Sequence, residues 1–221
     1  MTADKPLPTW KERAQRMLRT AILDAARATF AERGYTGATV DEIASRAEVG
    51  KGTIYNHVEG GKAGLFVAVL GEHFDELHAI ADRRLGADGP FRESYRAFVA
   101  DVAAYFEAHR DLLRVHLREV PQLLAAGGEG EQAAVLQGRR DRLVEALVPA
   151  IERAVERGEL RPVPARLTAH VSFGTLIGTL IQTVGGCSAG LAASGDTVAD
   201  YLTALLFDGI AAGPRGGRAA A

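Results

Sequence analysis

Residues 39–58 read TVDEIASRAEVGKGTIYNHV. Val40, Ile43, Ala44 and Ala47 fall at i, i+3, i+4 and i+7, the apolar stripe of a short helix. Thr39 stands just before it and Glu42 three residues on, a capping box in which hydroxyl and carboxylate satisfy each other's backbone N–H groups. A Glu48-Val49-Gly50 turn follows, then a second short segment with only Ile54 and Val58 suited to a core. Two short helices joined by a tight, Gly-containing turn is the helix-turn-helix plan.

The outer face of the second segment is left to Lys51, Gly52, Thr53, Tyr55, Asn56 and His57. Asn can bond an adenine edge in two places and Lys can donate to guanine. Thr and Tyr hydroxyls can fix a phosphate register, and a glycine lets the backbone approach closely. On composition alone, such a strip is equally a solvated helix face.

Charge does not decide between these. The chain has 221 residues and a formal net charge of −2. Residues 1–62 carry 10 Lys/Arg against 8 Asp/Glu, and the remainder 16 against 20. A nucleic-acid module is often far more basic. The single cysteine, Cys187, leaves no disulfide framework or Cys-rich zinc site and fits a reducing cytosol. The first 16 residues have no apolar h-region. Cytoplasmic residence is therefore expected.

Helical periodicity runs through the whole chain, beginning with Leu18, Ile22, Ala26 and Phe30, and no segment alternates with period two. The fold class is all-α. Nine helices are expected, at about 12–33, 40–47, 51–58, 62–85, 90–108, 110–119, 131–157, 165–185 and 197–211. Gly34 closes the first, Pro90 opens the fifth, and Pro149 is expected to bend the seventh. Residues 1–12 read as a flexible arm, 13–61 as the helix-turn-helix domain, 62–212 as a larger helical domain and 213–221 as a disordered tail. The uncharged run 171–195 is broken by six glycines, so it reads as a buried helix and not a membrane span.

Residues 19–70 resemble the DNA-binding domain of the tetracycline-repressor-like (TetR) family of transcriptional regulators. The likeness is carried by ILDAARATFAERGY, TVDEIASRAEVGKGTIYNHV and KAGLFVAVL. It implies that Thr39 and Lys62 contact phosphate, that Lys51, Gly52, Thr53 and Asn56 face the major groove, and that Tyr55 and His57 grip phosphates. It implies close helix contact at Ala44. There are three departures from the family pattern: Glu48 and Gly50 stand where Gly and Ser are usual, Val58 replaces an aromatic residue, and the Glu59–Lys62 turn is one residue longer. A glycine N-cap is only a few tenths of a kcal/mol weaker than a Ser cap, roughly, so the second helix is expected to survive.

Beyond residue 70, the resemblance implies a ligand-binding and dimerisation domain. Val171, Gly174, Ile177, Gly178, Leu180, Ile181, Val184, Val198, Leu202, Leu205 and Leu206 are the expected interface of a homodimer, with burial inside one subunit as the alternative. Phe98, Val102, Tyr105, Phe106, His116 and Glu119 are the expected lining of a pocket for a small hydrophobic effector, although an aromatic stripe at this spacing is also ordinary core. His116 and Glu119 lack a third ligand, so no metal is expected. No cofactor motif is present. Gly-rich phosphate loops, GxSxG elbows and HExxH are likewise missing, which argues against an enzyme. The implied function is a homodimeric regulator bound to a palindromic operator in double-stranded DNA, a repressor released by its effector. A ligand-independent regulator or activator is the alternative.

Overall fold

The computed structural model describes residues 9–86, 88–111, 131–183 and 194–209, those at 131–133 by backbone alone. Its helices are α1 (Trp10–Gly37), α2 (Val40–Arg46), α3 (Lys51–His57), α4 (Gly61–Leu85), α5 (Phe91–Ala108), α6 (Glu131–Glu145), α7 (Val148–Glu156), α8 (Ala165–Thr183) and α9 (Gly195–Phe207). No strand occurs among the described residues. Most of the expected helix at 110–119, and the expected tail, lie outside them.

Two expectations about boundaries change. α1 begins at Trp10 because Thr9 and Glu12 form a capping box of their own, with the Thr9 N–H donating to the Glu12 carboxylate at 2.7 Å. The helix expected over 131–157 is two helices. Pro149 has no N–H to give the Glu145 carbonyl, so α6 ends at Glu145 and α7 restarts with the proline in its first turn.

The chain divides into two compact units, Met1–Glu76 with His109–Asp141, and Leu77–Ala108 with Arg142–Ala221. In the first, Ile22, Leu23 and Phe30 of α1, Ile43 of α2, Ile54 of α3, and Leu65, Phe66 and Leu70 of α4 are all buried. Phe30 meets Phe66 edge-on at 5.3 Å, and Tyr35 closes the cluster at 5.0 Å from Phe66. Gly34, at φ 71°, is the left-handed break that turns the chain out of the long helix.

In the second unit α5 packs along α9. Phe98, Val99 and Val102 face Val198, Ala199 and Leu202, all buried. Arg92–Asp208 and Arg96–Asp200 ion pairs run along the same contact at 2.7 and 2.6 Å. Arg153 donates to the Leu85 carbonyl at 2.7 Å, placing a cation on the C-terminal end of α4. In α8 the hydroxyls of Thr175, Thr179 and Thr183 each donate to the carbonyl four residues back, which satisfies them inside an otherwise apolar helix. Among the described residues no helix is long and apolar enough to cross a membrane.

Candidate nucleic-acid interface

The geometry of α3 is set by its neighbours. Thr39 and Glu42 form the expected capping box, with the Glu42 N–H donating to the Thr39 hydroxyl at 3.2 Å and the Thr39 N–H donating to the Glu42 carboxylate at 3.3 Å. Arg46 is clamped to Glu32 at 2.7 Å, and Arg33 lies 4.0 Å from Glu42, so α2 is tied to α1 by charge as well as by buried Ile43 and Ala44. The Arg46 bond holds the Glu32 carboxyl below its ordinary range.

The turn between the helices is a Schellman motif. The Val49 N–H donates to the Ala44 carbonyl at 3.0 Å and the Glu48 N–H to the Ser45 carbonyl at 3.2 Å. Such a motif needs a left-handed residue after the cap, and Glu48 supplies it at φ 55°, the only non-glycine among the described residues with positive φ. The geometry usually assigned to glycine is thus kept by a glutamate. Gly50 is the N-cap of α3 and makes no side-chain cap bond, yet the Thr53 N–H still donates to its carbonyl at 2.9 Å. The helix forms, as the small energetic gap between Gly and Ser caps leads one to expect.

Ile54 and Val58 anchor α3 at 0 % and 6 % exposure. Lys51, Gly52, Tyr55 and Asn56 face outward, and Thr53 and His57 are half-buried. A methyl group at Gly52 would meet nothing within 4 Å, so the backbone there is open to a bulky partner. Tyr55 is half exposed, and its ring passes 3.2 Å from where a Gly61 side chain would begin. Lys51 donates to Asp41 at 3.0 Å, a bond that raises the ammonium's pKa and keeps it charged. Both partners are exposed, so the pair is weak and exchangeable. Arg19 donates to the His57 carbonyl at 2.9 Å, fixing the C-terminal end of α3 on α1, a contact with no sequence signal.

Lys62 is engaged elsewhere. Its ammonium donates to the Tyr35 carbonyl at 3.0 Å and the Thr36 carbonyl at 3.4 Å, and sits 4.7 Å from the Tyr35 ring centre. The longer turn, with Gly60 at φ 82° and Gly61 at φ 58°, leads into this arrangement. Thr39, besides capping α2, is exposed.

The remaining expected residues lie in the second unit. Phe98, Val102 and Phe106 are fully buried and Tyr105 partly so, while His116 and Glu119 lie outside the described residues. A cavity of about 150 Å3 is bordered instead by Tyr95, Ser172, Leu202 and Leu206. Burial raises the Tyr95 phenol pKa, offset in part by the Ser172 hydroxyl. Leu180, Val198 and Leu202 are buried within the single chain; Ile177, Gly178, Ile181, Leu205 and Leu206 are half-buried; Val184 lies outside the described residues. Val171 is 60 % exposed, together with Leu167 and Tyr201, which the sequence reading missed. Leu167, Val171, Gly174 and Gly178 recur at i, i+4, i+7 and i+11, a stripe whose spacing was available in the sequence.

Residues 22–69 match the family model described as bacterial regulatory proteins, tetR family. The chain is 40 % identical over 81 residues to the HTH-type transcriptional activator FasR of Mycolicibacterium smegmatis, covering 37 % of this chain and 36 % of that protein. It is 38 % identical over 76 residues to the HTH-type transcriptional repressor KstR of the same organism, covering 34 % and 37 %. The match therefore spans little more than a third of these relatives. Over most of the length, the fold resembles the transcriptional regulator FadR from Bacillus subtilis in complex with stearoyl-CoA, with TM-score 0.75, 20 % identity, and coverage of 87 % of this chain and 99 % of that one.

Proposed function

From the membership of residues 22–69 in the tetR family of bacterial regulatory proteins, we propose that the chain is a homodimeric, DNA-binding transcriptional regulator of the cytoplasm. The observation that carries this reading is the outward set Lys51, Gly52, Tyr55 and Asn56 on a helix pinned from behind by buried Ile54 and Val58. Lys51, Gly52, Thr53 and Asn56 enter the major groove, while Thr39, Tyr55 and His57 contact phosphates. Lys62 joins them only after releasing the Tyr35 and Thr36 carbonyls. One helix of seven residues touches too few bases for useful specificity. Two copies related by a two-fold axis read a palindrome in successive major grooves.

The exposed stripe Leu167–Val171–Gly174 on α8, with Tyr201 on α9, is the proposed dimer face. An apolar face of this kind seeks cover, and a small-residue stripe lets a partner helix approach closely. The effector is proposed to be a fatty acyl-CoA, released from or taken into the second unit near α5, α8 and α9. Support comes from the likeness to a regulator crystallised with stearoyl-CoA. Among the relatives, KstR is a repressor and FasR an activator, so repression relieved by ligand is the first reading and activation the second.

Selection from a random duplex library tests the first step. A recovered palindrome supports the reading, and a library left unenriched by the purified protein refutes it. Repeating the selection with palmitoyl-CoA tests the effector. A ligand at 100 times its Kd stabilises a protein by about 2.7 kcal/mol, so the same mixture should also melt later.

A further inference from the structure

We propose that the first three turns of α1 form a second DNA contact, in which Lys11, Arg13 and Arg16 bind phosphates of the duplex flanking the bases read by α3. The proposal rests on the DNA-binding reading above and extends the contact beyond the helix-turn-helix.

Burial on α1 starts at Ile22. From Trp10 to Ala21 every residue is exposed except Ala14 and Leu18, which are half-buried. The stretch Trp10–Arg19 holds four cations and one carboxylate, Glu12, inside a chain of net charge −2. Glu12 is committed to the helix N-terminus through the Thr9 N–H and hydroxyl.

The other cations nearby each have an internal partner. Arg27 pairs with Asp24 and Glu72, Arg33 with Glu42, Arg46 with Glu32 and Lys51 with Asp41, while Lys62 caps two carbonyls. Lys11, Arg13 and Arg16 form no ion pair among the described residues. These charges are concentrated on the most exposed stretch of α1.

Position favours duplex DNA. Arg19, at the base of the stretch, is bonded to the His57 carbonyl at the end of α3. The basic turns therefore start where the proposed reading helix ends. Twelve residues of helix reach about 18 Å, or roughly 5 base pairs of duplex. Trp10 and Met17 are exposed at 76 % and 74 % and lie on one side. At 3.6 residues per turn, Arg13 falls about 60° from Trp10, and Lys11, Arg16 and Arg19 about 100°, 120° and 180° from it, so an anionic membrane surface is the competing partner that the vesicle measurement below separates from duplex.

Trp10 is the only tryptophan, so its emission reports on this segment alone. The test uses the duplex recovered by selection, with 2 or 8 base pairs flanking each side, and the wild-type chain against K11Q/R13Q/R16Q. Gln is a good helix former and the three side chains are exposed, so the fold is expected to hold, with unchanged circular dichroism. On the long duplex, the slope of log K against log salt should flatten by about 0.9 for each phosphate no longer neutralised, up to roughly 3 per subunit. The wild type should bind the long duplex at least tenfold more tightly than the short one at low salt, roughly what one or two phosphate contacts provide, and the variant should not distinguish them. Trp10 emission should change with the long duplex only. Equal slopes, or Trp10 emission unmoved by the long duplex while the protein binds it, overturn the proposal. So does Trp10 responding to phosphatidylglycerol vesicles and not to duplex. A wild type that binds no duplex at all removes the reading beneath it instead.

Discussion

Glu48 holds the turn between α2 and α3 in a conformation that costs an L-residue about 1–2 kcal/mol, because its Cβ crowds the following carbonyl oxygen. Its φ of 55° is fixed by two Schellman bonds, from Val49 to Ala44 and from Glu48 to Ser45. The side chain is exposed and forms no ion pair among the described residues, so replacing it removes little packing. Glu48→Gly relieves the crowding but loosens the unfolded chain, which returns about 0.4–1 kcal/mol. The net expectation is a stabilisation of about 0.5–1 kcal/mol. Glu48→Ala keeps the Cβ and should match the wild type. Glu48→Asn should fall between Ala and Gly, since Asn tolerates this region. Glu48→Val should be the least stable of the series. Urea unfolding followed by circular dichroism measures the order through the midpoint at constant slope. A Gly variant less stable than wild type by more than about 0.5 kcal/mol, or a Val variant equal to Gly, would show that strain at this turn is not what the backbone records.

Thr39→Ala removes the hydroxyl that accepts the Glu42 N–H, while the residue-39 N–H can still donate to the Glu42 carboxylate, and should destabilise by about 1 kcal/mol, read from the same urea midpoints. Gly61→Ala combines a left-handed φ with a contact 3.2 Å from the Tyr55 ring, so it should displace Tyr55 and weaken duplex binding in a gel-shift titration more than it changes helix content. The Glu159 carboxylate accepts the Phe91 N–H, which holds its pKa below the ordinary 4.5. Its stabilising effect is complete above that value and fades as pH falls through the lower folded value, so melting curves of wild type and Glu159→Gln should converge as pH drops below 4.5. Val171→Asp places a charge on the exposed α8 stripe and should shift the chain from dimer to monomer in sedimentation, with Val198→Asp unfolding the subunit instead because that residue is buried by α5.

The fold was legible where local chemistry alone decides it. Thr39 and Glu42 announce their helix start, Gly34 its stop, and the Ile43–Ala44 and Ile54–Val58 spacings their buried faces. The match to the tetR family model falls on the same residues. Thr9–Glu12 offers an equally local signal, and the helix start it marks went unread. The break before Pro149 was written in the sequence only as a proline, whose effect of bend or stop depends on whether the freed Glu145 carbonyl finds a partner. Long-range contacts were not legible. Nothing in the periodicity says that Lys62 turns back to the Tyr35 carbonyl, or that Arg19 bonds the end of α3 from 38 residues away. On α9 the stripe of Val198 and Leu202 marks burial without saying by what. α5 covers it, which leaves Leu167, Val171 and Tyr201 as the large apolar side chains still exposed among the described residues of the second unit.

The decisive measurement is hydroxyl-radical footprinting of the purified protein on its selected duplex. Two protected half-sites are expected, centred about one helical turn of 10–10.5 base pairs apart or a multiple of it. Lys51→Ala or Asn56→Ala should abolish that protection at low protein concentration while leaving the fold intact. A single protected patch, or a two-part footprint indifferent to both substitutions, would contradict it.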